Sequence, residues 1–177
     1  SGTMPSYNLL PDSFVIVCTA SAVAAMSAYG PAISVTSFPS LDNTGDVIYL
    51  RSPQNRIIHA VSYTDTWYQN ELKKDGGWTL EMIDTKNPCS GFNNWKASTD
   101  IKGGTPGKKN GVDAVNADAT GPQLLRAYAT DSVSISLVFD EPLDSLKAAT
   151  AANYSISDGI GIPLSAMAVS PTFDKVT

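Results

Sequence analysis

The feature that most constrains this fold is a series of short segments in which apolar and polar residues alternate. The clearest is SVSISLVF at 132–139. Successive side chains of a β-strand point to opposite faces, so this segment predicts a half-buried strand. One predicted face carries Val133, Ile135, Leu137 and Phe139, and the other carries Ser132, Ser134 and Ser136.

Several other segments predict strands, whereas few predict helices. The strand candidates are FVIVC (14–18), DVIYLRS (46–52), RIIHAVSY (56–63) and WTLEMI (78–83), separated by DNTGD, SPQN and KKDGG. SAVAAMSAYG predicts one short helix between a capping Ser21 and Gly30, and EPLDSLKAATAANY predicts a turn or two after Pro142. Many short strands with frequent turns are typical of an all-β, sandwich-type protein.

Composition and charge exclude two classes of partner. The 177 residues are 42% hydrophobic and 16% charged, which is typical of a soluble globular protein of one or two domains. The net charge of -5 argues against nucleic-acid binding, since the one basic cluster is Lys108–Lys109 with Lys102 nearby. The uncharged stretch 13–41 is rich in Ala and Ser and is interrupted by Gly30–Pro31, so it does not predict a membrane span.

A domain boundary is predicted at GVDAVNADATG (111–121), which has no large apolar residue. We expect a first domain at 1–112, a linker at 113–119 and a second domain at 120–177. The second is short for a β-sandwich, which usually needs about 100 residues.

The two cysteines, Cys18 and Cys89, permit one disulfide or two reduced thiols, and they do not make a zinc site of the usual spacing. The sequence leaves both alternatives open. Export would favour the disulfide, because oxidising compartments form and keep such bonds.

No set of catalytic residues is recognisable. His59 is the one histidine, it lies in a predicted strand, and no GxSxG motif accompanies it. GGTPGKK lacks the spacing and the following helix of a phosphate-binding loop. The sequence therefore predicts a protein that is not an enzyme and that has no cofactor.

Calcium is the one alternative to this absence of cofactors. Asp42 and Asp46 flank one turn, and Asp113 and Asp118 lie in the predicted linker, which is the better candidate. Calcium takes six to eight oxygen ligands, and turn chemistry explains the same aspartates equally well.

Aromatic residues gather in SYTDTWYQNELKKDGGW (62–78). Tyr63, Trp67 and Tyr68 could form a platform on which a sugar ring stacks, with Trp78 nearby. The alternative, which we favour, is that Trp67 and Tyr68 pack over the edge of the sheet and Trp78 opens the next strand.

Four blocks carry a resemblance to a known family: LPDSFVIVC, LDNTGDVIYLRSPQNRIIHAVSY, GWTLEMID and PCSGFNNWKASTDIKGGTPGKKN. Over roughly residues 9–110 they resemble the bacterial lamin-tail domain, an antiparallel immunoglobulin-like β-sandwich also found in nuclear lamins. The resemblance implies that Trp95 plugs one end of the sandwich and that GGTPG ends its last strand. His59 stands where the family often has an acidic residue.

Residues 119–177 resemble the start of another immunoglobulin-like module, of the type repeated in bacterial surface-layer proteins. The match lies in PQLLRAYATDSVSISLVFDEPLDSLKAATAANYSI. Lamin-tail domains usually begin with strands that carry an acidic block upstream of the LP segment. We therefore expect a first sandwich that lacks its first strands and a second module that is incomplete.

These resemblances imply a non-catalytic structural or protein-interaction module of a larger exported bacterial protein. The expected location is the cell surface or the extracellular space, with other domains of the parent protein or another surface protein as partners. One alternative is a carbohydrate- or ligand-binding module that uses Tyr63, Trp67 and Tyr68. Another is an accessory domain of an exported nuclease or phosphatase.

Overall fold

The computed structural model describes residues 2–117 and 119–177. Strands predominate in this part of the chain, and its two α-helices, α1 (Val23–Met26) and α2 (Ser145–Ala148), are one turn each. The strands are β1 (Ile16–Cys18), β2 (Ala32–Ser34), β3 (Gly45–Arg51), β4 (Ile57–Thr64), β5 (Leu80–Met82), β6 (Trp95–Ala97), β7 (Leu124–Ala129), β8 (Ile135–Phe139) and β9 (Lys175–Val176). The prediction of a β-rich fold with few helices is confirmed.

The strands form four small sheets: β1–β2, β3–β4, β5–β6 and β7–β8–β9. Five of the strands lie within the segments that alternation predicted, to within one residue at each end: β1, β3, β4, β5 and β8. β5–β6 and β7–β8–β9 are antiparallel, with Glu81 opposite Lys96 and Tyr128 opposite Ser136. No helix among the described residues is long and apolar enough to cross a membrane.

The β1–β2 sheet departs from the antiparallel expectation. The two strands are parallel, with Ile16 opposite Ala32 and Cys18 opposite Ser34. Parallel neighbours need a crossover of about a dozen residues, and residues 19–31, which include α1, supply it. The prediction of Ser21 as a helix cap is wrong, because no side chain caps α1 or the 3-10 turn before it.

The described residues divide into two compact units, and each combines separate stretches of chain. Unit 1 comprises Ser1–Asp46, Thr64–Thr85 and Trp95–Val115, and unit 2 comprises Val47–Tyr63, Lys86–Asn94 and Asn116–Thr177. The predicted domains at 1–112 and 120–177 and the linker at 113–119 stay predictions.

In unit 1, the segment after β6 packs closely along β5. Ser98 N donates to Thr79 O at 2.8 Å, and Thr79 N donates to Gly103 O at 2.7 Å. Gly103 has φ +87, and a Cβ at this position would overlap Gly77 O, at a distance well below 3.0 Å. This close approach of two backbones explains why the segment is rich in glycine.

In unit 2, β8 is where the pattern predicted it, but its buried face is partly different. Ser136 is only 3% exposed, whereas Val133 is 90% exposed and precedes the strand. The assignment of these two residues to faces was therefore wrong. Burial of Ser136 is tolerated because its hydroxyl lies 3.1 Å from Thr177 Oγ1, so the two can share a hydrogen bond.

Candidate functional site

An aromatic cluster in unit 1 contains Trp67, Tyr68, Trp78 and Trp95. The rings of Trp67 and Trp95 are tilted at 41°, with centroids 6.1 Å apart. Tyr68 Oη donates to Trp78 O at 3.2 Å. Burial raises the pKa of Tyr68. The members of this cluster are thus half-buried and hold one another in place.

Polar side chains around the aromatic cluster also bond inward. Lys73 Nζ lies 3.9 Å from the centroid of the Trp78 ring and donates to Ser98 O at 2.6 Å. Gln69 Nε2 donates to Trp95 O at 2.8 Å. The ammonium and the amide that could orient a sugar therefore bind the protein's own backbone.

The structure brings together two of the three residues predicted to form a sugar-stacking platform. Trp67 and Tyr68 lie side by side in a 3-10 turn of unit 1. Tyr63 lies near the end of β4 and belongs to unit 2. The platform of three residues stays a prediction.

A buried carboxylate in unit 1 was missed by the sequence analysis. Glu81 is 4% exposed, and its Oε1 accepts from Thr105 Oγ1 at 2.6 Å and from Thr79 Oγ1 at 3.2 Å. Its Oε2 accepts from Gly111 N at 2.9 Å. Three donors compensate the loss of hydration, so this carboxylate can tie GGTPGKKNG (103–111) to β5.

A groove of about 340 Å³ in unit 2 is lined by several residues of types that can take part in catalysis. Its polar members include His59, Cys89 and Asp144. Apolar side chains form most of the remaining lining, among them Ile57, Pro88, Pro142, Leu143, Leu146 and Phe173. The groove is open to solvent, and its lining combines apolar side chains with a few polar groups.

The electrostatics of this groove oppose nucleophilic catalysis. Burial raises the pKa of the Cys89 thiol, and the charges of Asp144 and Glu141 raise it further. Asp144 stays ionised because it accepts hydrogen bonds from Lys147 N and Leu146 N, which lower its pKa. The thiolate is the nucleophilic form of cysteine, so Cys89 is held in its unreactive form near neutral pH.

Both cysteines are free thiols in the structure, Cys18 buried and Cys89 exposed. Of the two alternatives that the sequence leaves open, the structure has the reduced thiols, and alkylation distinguishes them from the disulfide.

We expect Cys89, but not Cys18, to react with iodoacetamide in the folded protein. The raised pKa of Cys89 leaves little thiolate at pH 8, so alkylation should be slower than in the denatured chain, and Glu141→Gln should speed it. Intact mass after timed quenching measures this rate. A disulfide would instead leave both cysteines unreactive until reduction.

Two of the aspartates proposed as calcium ligands bind other side chains. Asp42 Oδ1 accepts from Thr44 Oγ1 at 3.5 Å, and Asp113 forms an ion pair with Lys109 at 2.7 Å. Asp118 lies outside the described residues. Within residues 2–117 and 119–177, no three His, Cys, Asp or Glu side chains are grouped so that they could hold a metal ion.

Comparisons with protein-family models, with curated proteins and with solved structures found no match to this chain.

Proposed function

We propose that this chain is a non-catalytic structural or protein-interaction module of a larger exported bacterial protein at the cell surface. The observation that carries the proposal is that several large and polar side chains of unit 1 contact other residues of the protein. Glu81 binds three donors, Trp95 packs on Trp67, and Lys73 binds a ring and a carbonyl. Residues committed to internal contacts stabilise a scaffold and are not available to a substrate.

The finer architecture is part of the same proposal. We infer a lamin-tail-like immunoglobulin sandwich followed by the start of a second immunoglobulin-like module. Support comes from β1, β3, β4 and β5, which coincide with the blocks LPDSFVIVC, LDNTGDVIYLRSPQNRIIHAVSY and GWTLEMID. The parallel pairing of β1 with β2 is a departure from that architecture.

The proposal is tested by assaying the purified chain against nuclease, phosphatase, esterase, peptidase and glycosidase substrates. We expect wild-type and His59→Ala proteins to give the same background rate, because the Cys89 thiol, which lines the same groove as His59, is held protonated. Turnover that His59→Ala or Asp46→Asn abolishes would refute the proposal.

Trp67→Ala separates a packing role for the aromatic cluster from sugar binding. We expect it to lower the free energy of unfolding by about 2 kcal/mol, since a half-buried tryptophan and its ring contact are lost. Denaturant unfolding measures this loss. Tyr29→Ala, at a side chain that is 56% exposed, is the control and should change stability little. Glycan binding that Trp67→Ala abolishes without changing stability would favour the carbohydrate-binding alternative.

A further inference from the structure

One face of the β7–β8–β9 sheet in unit 2 carries an unusual set of side chains. Arg126 is opposite Val138, which is opposite Lys175, and Tyr128 is opposite Ser136. Residues two apart on a strand share a face, so the side chains form two adjacent rows. We call this set the cationic patch: Arg126, Val138 and Lys175 in one row, and Tyr128, Ser136 and Thr177 in the other.

Both cations of the cationic patch interact with Tyr128. The Arg126 guanidinium carbon lies 4.4 Å from the centroid of the Tyr128 ring. The charge of Lys175 lowers the pKa of Tyr128 most, and hydrogen bonds from Ser136 and Arg126 lower it further. Arg126 and Lys175 therefore lie on the same face of the sheet as Tyr128, and the Arg126 guanidinium lies over its ring.

Neither cation of the cationic patch is held in an ion pair among the described residues: no salt bridge joins Arg126 or Lys175 to a carboxylate. Three aspartates lie just outside the ends of these strands and accept hydrogen bonds from other residues. Their Oδ1 atoms accept from neighbouring donors at 2.7–2.8 Å: Asp131 from Val133 N, Asp140 from Gln123 N, and Asp174 from Thr172 Oγ1.

We propose that the cationic patch binds a tetrahedral oxyanion, a sulfate or phosphate ester. Arginine offers a planar fork of N–H donors to such a group and lysine offers a point charge. Strands lie about 4.8 Å apart, so the Arg126 and Lys175 backbones are about 10 Å apart, a span that two long side chains can close on one anion. The half-buried Val138 lies between them on β8. This site goes beyond the proposed scaffold role and does not depend on it.

Titration with inorganic sulfate and phosphate, followed by NMR of ¹³C-labelled tyrosine, tests the proposal. Tyr128→Phe assigns the signal. We expect a saturable shift at Tyr128 and a higher pKa for its phenol at saturation, because the bound anion offsets the charges that lower it. Arg126→Gln and Lys175→Gln should each weaken binding about tenfold, the factor expected for one charge-assisted hydrogen bond.

Arg56→Gln is the matched control, since it removes one positive charge from an exposed residue outside the cationic patch. It should leave affinity unchanged, and thermal unfolding should confirm that every variant is folded. Absence of a saturable Tyr128 shift, or equal weakening by Arg56→Gln, would overturn the proposal. A sulfated oligosaccharide that binds over tenfold tighter than inorganic sulfate would identify a glycan as the source of the anion, whereas equal affinity would identify the free anion.

Discussion

Replacement of Glu81 by alanine is expected to lower the free energy of unfolding by about 3 kcal/mol, because charge-assisted hydrogen bonds are lost and buried donors remain unpaired. Thr105 Oγ1 and Gly111 N would lose the acceptor that they reach at 2.6 and 2.9 Å. Urea denaturation followed by tryptophan fluorescence measures the change. Because the bonds join β5 to the segment after β6, the loss should appear in the unfolding of unit 1.

Glu71→Ala is the matched control for this experiment. Glu71 is also paired, with Lys74 three residues later, but its side chain is 85% exposed. Exposed ion pairs contribute little, so this variant should unfold close to the wild-type midpoint. Equal effects of the two substitutions would show that burial of Glu81 and its three bonds do not stabilise the fold.

Gly103→Ala is expected to destabilise the protein by about 3 kcal/mol. The residue has φ +87, which strains any side chain by about 1 kcal/mol. The added Cβ would also collide with Gly77 O, and neither backbone can move without breaking the bond between Thr79 N and Gly103 O. Thermal unfolding monitored by circular dichroism measures the loss.

Gly159→Ala separates these two contributions. Gly159 has φ +81, close to that of Gly103, but a Cβ there has no atom within 4 Å. It should therefore show the backbone strain alone, about 1 kcal/mol. If Gly103→Ala were no more harmful than Gly159→Ala, the close approach along β5 would be contradicted.

Alternation is a local property of the chain and predicted five of the nine strands among the described residues, whereas β2, β6, β7 and β9 lie outside the segments that it marked. β3 and β4 match their predicted segments to within one residue at each end. Pairing is different, since it depends on residues far apart. The parallel register of β1 with β2 could not be inferred from either segment alone, although the 13 residues between them were compatible with a crossover.

Apart from the aromatic residues of 62–78, the residues of the candidate sites were visible in the sequence only as isolated side chains. Glu81 occupies a strand position where a glutamate is ordinarily exposed, and two of its three donors come from 24 and 30 residues away. His59, Cys89 and Asp144 come from three separate segments, so their shared groove had no sequence signal. Ser136 was assigned to the wrong face because alternation ranks serine as polar and does not count its partner Thr177.

The central claim is that buried polar residues such as Glu81 stabilise the fold. A double-mutant cycle between Glu81 and Thr105 tests this claim most directly. Glu81→Ala, Thr105→Val and the double variant are unfolded in urea. The 2.6 Å bond between the two side chains predicts a coupling energy of about 1–2 kcal/mol. Additivity of the two single changes within about 0.3 kcal/mol would contradict it.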